Sequence, residues 1–165
     1  MMKAAIFGIV VGVGISISYN AKGSQNQIEC LAKNMYFEAR GQGTAGVLAV
    51  AFGVLNRVND HRFPNTICEV VYQAITRPSW KDKSKRYPIR NRCQFSWYCD
   101  GKSDEIHDWR SYHAITEVAR MVLLGYIEDN TNGSTFYHAN YVKPHWSNHM
   151  AVAVIHDKHI FYRMR

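Results

Sequence analysis

Apolar positions recur at helical spacing in several stretches of the chain. Ile28, Leu31, Met35 and Glu38 fall on nearby faces of one helix. Ser24-Gln25-Asn26-Gln27 reads as the capping box that opens it, and Gly41 marks its end. A second helix follows, with Thr44 as its cap. Val47, Val50, Ala51, Val54, Leu55 and Val58 give it so broad an apolar face that it reads as the central buried helix. Thr66-Ile67-Cys68-Glu69 forms another capping box and predicts a short helix through Gln73. A further helix runs from about Trp109 to Leu124, turns Tyr112, Ile115, Ala119, Val122 and Leu123 inward, and stops at Gly125. From Thr76 to Arg92 the periodicity dissolves into prolines and cations around a single acid, Asp82, which predicts a solvated basic loop. Asn130-Thr131-Asn132-Gly133 is a turn. Ala151–Ile155 and His159–Met164 are β-rich and read as a hairpin joined by His156-Asp157-Lys158. The predicted class is α+β, mainly α, with a small β-hairpin element.

The N-terminus changes the picture from a domain to a domain with a leader. Lys3 precedes an apolar run, uncharged for about 18 residues and interrupted by Gly8, Gly12 and Gly14. Residues 1–21 are therefore expected to be a signal peptide or signal-anchor, and residues 22–165 the functional domain. Export makes the four cysteines readable as disulfides. Cys30, Cys68, Cys93 and Cys99 allow three pairings, and spacing does not choose among them. A chain of 165 residues suffices for one domain with a real core. Its formal charge of +7 favours anionic polymers or surfaces as partners.

Three clusters carry candidate chemistry. Glu38 stands at a helix C-terminus among aromatic neighbours, where the helix dipole and burial both disfavour the carboxylate and raise its pKa. A carboxylic acid held protonated near neutrality suits proton donation to a leaving glycosidic oxygen; pairing with Arg40 would oppose that. Gln94, Phe95, Ser96 and Asp100 lie in a stretch of amides, hydroxyls and aromatic rings suited to carbohydrate. The third cluster spans Phe136 to Trp146, where His138, Tyr141 and Trp146 are candidates to orient substrate. His145 and His149, with His156 and His159, raise a zinc site, but Pro144 interrupts a regular helix and no HExxH pattern accompanies them. No cofactor or metal is expected. A Gly-x-Ser-x-Gly elbow and a phosphate-binding glycine loop are both missing from the sequence. In an exported protein the basic segment with Trp80 and Tyr87 is expected to meet wall polymer or lipid headgroups, not nucleic acid.

These clusters, in this order, resemble the cell wall hydrolase family typified by the spore-cortex-lytic enzymes SleB and CwlJ, which includes bacteriophage endolysins. The resemblance rests on Cys30-Leu31-Ala32 through Tyr36-Phe37-Glu38-Ala39-Arg40-Gly41, on Val54-Leu55-Asn56-Arg57-Val58, and on Arg62-Phe63-Pro64-Asn65-Thr66-Ile67-Cys68 through Gln73. Gln94-Phe95-Ser96 with Asp100-Gly101, and Tyr137-His138-Ala139 with Tyr141 to Trp146, complete it. It implies a lysozyme-like fold and an enzyme that cleaves peptidoglycan between N-acetylmuramic acid and N-acetylglucosamine; with the leader, an exported monomer is expected. Lytic transglycosylation or muramidase-like hydrolysis would then serve lysis or wall remodelling, with Glu38 as the catalytic acid and Arg40 in the substrate site. Many relatives carry Glu where this chain has Gln42, which disfavours a water-activating role there and leaves Asp100 as the fallback second carboxylate. Two other readings remain at this stage: a zinc-dependent N-acetylmuramoyl-L-alanine amidase built on the histidines, and a non-catalytic wall-binding module. Membrane contact is expected through the N-terminal segment and the basic loop.

Overall fold

The computed structural model describes residues 21–164. Apart from Ala21, the expected leader over 1–21 lies outside the described residues. Four helices form one layer: α1 (Ala21–Ala39), α2 (Thr44–Val58), α3 (Ile67–Val71) and α4 (Trp109–Leu123). Strands β1 (Ala74–Pro78) and β2 (Arg86–Cys93) form a separate antiparallel pair. Strands β3 (Phe136–Ala139), β4 (Ala151–His156) and β5 (His159–Arg163) form an antiparallel sheet in the order β3-β5-β4. The α+β, mainly helical class read from the sequence is the one observed. Among the described residues, no helix is long and apolar enough to cross a membrane.

α1 buries Ile28, Leu31, Ala32, Met35, Tyr36 and Ala39, the three-and-four spacing of one helix face. That face packs on α2, α3 and α4, with Val50, Val54, Val70, Val71 and Ala119 opposite it. α1 is already helical at Ala21, so Ser24 lies inside the helix and does not cap it. Gln27, expected to complete that capping box, instead accepts a hydrogen bond from the Cys68 amide at 3.2 Å. Thr66 does cap α3, accepting from the Glu69 amide at 3.3 Å, although the helix ends at Val71. α4 begins after Asp108, whose carboxylate accepts from the Ser111 amide, and ends before Gly125, which takes φ +77°.

Two expectations are corrected. The segment from Thr76 to Arg92 is a β-hairpin, not an irregular loop. Tyr87 and Ile89 alternate with Arg86, Pro88 and Arg90, and both prolines sit in exposed strands of a two-stranded sheet, where a missing N–H is tolerated. Phe136–Ala139, read only as a chemical cluster, is the strand β3. Four residues are too few to display alternation, and β3 exists because β5 offers it an edge.

Both disulfides are present. Cys30–Cys68 ties α1 to α3, and Cys93–Cys99 ties the end of β2 to the 3-10 helix Ser96–Cys99.

Candidate active site

Glu38 continues the buried face of α1 into its last turn, three residues beyond Met35 and seven beyond Leu31. Its carboxylate is half-buried and opens onto a cleft of about 570 Å³ between the helical layer and the three-stranded sheet. Tyr137, on β3, donates its hydroxyl to Glu38 Oε2 at 3.1 Å. Burial pushes the Glu38 pKa up; the Tyr137 hydrogen bond and the nearby Arg57 charge partly oppose this. Burial and the Glu38 charge hold the Tyr137 phenol well above its usual value, so it remains a donor.

Arg57 lies behind this pair and is only 2% exposed. It occupies the buried face of α2, three residues past Val54 and seven past Val50. Its Nε donates to the Thr135 carbonyl at 2.6 Å, and the Gln94 amide, with its oxygen turned inward, accepts from Nη1 and Nη2 at 3.2 Å. The rings of Phe63, Phe95 and Phe136 surround the guanidinium at 5.6, 5.2 and 5.9 Å. Asn56, its neighbour, donates to Asp129, Thr131 and the Ser134 carbonyl. The Asn56-Arg57 pair therefore clamps the turn leading into β3 and so fixes where Tyr137 meets Glu38. The Tyr137 ring packs against α2 at Gly53, one turn earlier, where a Cβ would stand 3.7 Å from it, at ordinary contact distance.

Most residues expected at a site from sequence do meet here. Glu38, Arg40, Gln94, Phe95, Ser96, Asp100, His138 and Tyr141 all border the cleft. Arg40 does not pair with Glu38: its Nη1 donates to the Tyr36 hydroxyl at 2.7 Å, and its guanidinium covers the Tyr36 ring. The Glu38 carboxyl is thereby left without the ion pair that would lower its pKa. Phe95 is almost fully buried beneath Arg57 and supports the floor. His138 is held at both ring nitrogens, Nδ1 to the Ala139 carbonyl and Nε2 to the Tyr162 hydroxyl at 2.8 Å. Trp146 is not at the cleft; it packs against Phe136, His138 and Tyr162.

Sequence reading missed Arg57, Tyr137 and Asp104 as site residues. Arg57 had a signal, a lone cation in register with a buried apolar stripe. Tyr137 needed the β3 pairing. Asp104 borders the cleft near Asp100, and burial together with the Asp100 charge raises its pKa, with Lys33 opposing. Gln42 is engaged: its Nε2 bonds His159 Nδ1 at 3.1 Å, and burial lowers the His159 pKa, favouring the neutral ring. The histidines of the zinc reading do not converge. His145 and His149 lie in the 3-10 helix His145–His149, while His156 bonds the Asn130 carbonyl. Among the described residues no three His, Cys, Asp or Glu side chains are grouped to hold a metal ion.

A family model described as Cell Wall Hydrolase matches residues 41–162. The spore cortex-lytic enzyme of Bacillus cereus is 44% identical over 50 residues, 30% of this chain and 19% of that protein. The spore cortex-lytic enzyme of Bacillus subtilis is 40% identical over 52 residues, 32% of this chain and 17% of that protein. This chain thus matches less than a fifth of the length of those relatives. Among solved structures, the catalytic domain of the Bacillus cereus SleB protein superposes with a TM-score of 0.59 at 24% identity, covering 84% of this chain and 91% of that one. The catalytic domain of the germination-specific lytic transglycosylase SleB from Bacillus anthracis gives 0.61 at 23% identity, covering 90% and 100%. The fold is shared with these domains.

Proposed function

The chain belongs to the cell wall hydrolase family, and from that premise we infer that it cuts peptidoglycan strands between N-acetylmuramic acid and N-acetylglucosamine, with Glu38 as proton donor. The observation that carries this reading is the half-buried Glu38 carboxyl, unpaired by Arg40, held by the Tyr137 hydroxyl at the floor of an open cleft. Because Tyr137 occupies Oε2, the proton of the neutral acid sits on Oε1, the oxygen left for the substrate. Protonation of the glycosidic oxygen releases the leaving sugar and leaves an oxocarbenium-like muramic residue. Attack by the 6-hydroxyl of that same residue on C1 closes an anhydro ring, and the hydroxyl proton returns to Glu38. One carboxyl group serves both steps. Arg57 stabilises the carboxylate formed between them through its charge.

Hydrolysis would instead need a second group to activate water. Gln42 carries no basic carboxylate and is bonded to His159, so that task would fall to Asp100 or Asp104. Transglycosylation is therefore the favoured outcome. Gln94 and Ser96 offer hydrogen bonds to hydroxyl and acetamido groups, and the exposed Tyr141 ring offers a stacking surface. The protein would act in the cell envelope as an exported monomer, where Cys30–Cys68 and Cys93–Cys99 persist.

The test is digestion of purified peptidoglycan by the oxidised protein, with mass spectrometry of the soluble products. Anhydromuramic ends are expected, and Glu38→Gln should lower their rate of formation by roughly 10²–10⁴-fold. Reducing ends would shift the reading to hydrolysis through Asp100 or Asp104. Stem peptides freed from intact glycan would overturn it.

A further inference from the structure

The chain's charge excess is concentrated in one element. Residues 74–93 hold Arg77, Lys81, Lys83, Lys85, Arg86, Arg90 and Arg92 against Asp82 alone, while the rest of the chain is close to balanced. This element is the β1–β2 hairpin, whose strands, among the described residues, pair only with each other. Arg77 faces Tyr87 across the pair, and Ile89, two residues further along β2, lies on that same side; the register shifts at Ile75, between Ala74 and Thr76. Ile75 is 57% exposed, Tyr87 53% and Ile89 36%, and Trp80 at the tip is 81% exposed. The tip is a built turn: Ser79 Oγ accepts from the amides of Lys81 and Asp82, and the Ser79 amide donates to the Lys85 carbonyl at 2.8 Å. Asp82 accepts from Ser84 and pairs with Lys85, so it offsets one cation of the seven.

Charge alone would suit any polyanion, including a phosphate-bearing wall polymer. The apolar face would not: a hydrated polymer gives Ile75, Ile89 and Trp80 nothing to bury against. Aliphatic side chains beside an aromatic tip, ringed by lysines, match the layering of a bilayer interface, where phosphates lie above an apolar boundary. We propose that the β1–β2 hairpin docks on an anionic phospholipid bilayer, seating Ile75, Tyr87, Ile89 and Trp80 at the acyl boundary while its Lys and Arg side chains engage headgroup phosphates. The Cys93–Cys99 disulfide joins the foot of the hairpin to the Gln94–Ser96 rim of the cleft, so docking holds the cleft beside the membrane surface.

The test uses the full oxidised chain and phosphatidylglycerol–phosphatidylcholine vesicles, with pure phosphatidylcholine vesicles and inorganic polyphosphate as separate arms. Residues 1–21 contain no tryptophan, so quenching of tryptophan emission by brominated lipid reports on the domain and not on the leader. The fraction of emission that Trp80→Phe removes is expected to be quenched in anionic vesicles, with binding itself retained. Trp80→Ala with Ile89→Ser, and separately Lys83→Glu with Lys85→Glu, should each weaken vesicle binding at least about tenfold and leave peptidoglycan cleavage at the parent rate. Retained cleavage shows that the variants fold. Vesicle binding unaltered by Trp80→Ala with Ile89→Ser, or Trp80 emission that escapes quenching, would overturn the proposal. Polyphosphate binding as tight as vesicle binding, and insensitive to that apolar pair, would mark a phosphate-polymer site instead.

Discussion

At the scale of single residues, the site is a contest over one proton. Burial favours the protonated form of Glu38, while Tyr137 and Arg57 favour its charged form. With Glu38 as the proposed donor, activity falls as pH rises through its pKa, which burial raises from the ordinary value. Tyr137→Phe removes a hydrogen bond that lowers that pKa. The alkaline limb of the kcat/KM profile should therefore move to higher pH, and kcat should drop by about tenfold as the carboxyl loses its fixed orientation. A pH–rate series on both proteins checks this. A limb that moves to lower pH would mean that Tyr137 does not support the carboxylate. The two groups that set this balance were unequally legible in the sequence: Arg57 announces itself by its register, whereas Tyr137 lies in a strand too short to show a pattern.

At the scale of elements, α2 shows how one piece of the fold finishes another. Thr44 was the expected cap, but the N-cap is Gly43, which has no side chain to offer. Asp157, in the β4–β5 turn, supplies the missing acceptor, taking a hydrogen bond from the Gly43 amide at 3.1 Å. Its charge also faces the positive end of the helix. Gly46 permits this approach, since a Cβ there would meet Asp157 Oδ2 at 2.6 Å and Gln42 Oε1 at 2.7 Å. Asp157→Ala should cost about 1 kcal/mol in urea denaturation. Gly46→Ala should destabilise as well, although alanine is intrinsically the better helix former by about 1 kcal/mol. A gain in stability from Gly46→Ala would show that the contact is not needed.

At the scale of the whole molecule, the two disulfides have different consequences. Cys30–Cys68 closes a separation of 38 residues, and Cys93–Cys99 only 6. In the chain-entropy account the longer loop stabilises more, by about 2–4 kcal/mol. Cys30→Ser with Cys68→Ser should therefore lower the melting temperature by roughly 5–15 °C, given about 2–4 °C per kcal/mol for a chain of this size. Cys93→Ser with Cys99→Ser should lower it less and lower peptidoglycan cleavage more, because that bond holds Gln94, Phe95 and Ser96 at the cleft. Calorimetry beside product release separates the two. Equal melting losses would show that loop length does not govern the effect.

Wherever the physics is local, the sequence alone determined the outcome. The inward face of α1, the ends of α4, the cap of α3 and the last hairpin follow from spacing, capping side chains and turn residues within a few positions of one another. The position of Glu38 on a buried stripe at a helix end follows in the same way, as does the mainly helical α+β class. Only the tertiary structure decided what depends on partners far along the chain. β3 exists because β5 offers an edge, and Tyr137 meets Glu38 because Asn56 and Arg57 anchor the turn before it. The segment from Thr76 to Arg92 reads as loop because neither of its strands has a buried face. Pairing between its two halves made it a hairpin, and that pairing placed Arg77 and Tyr87 on one side.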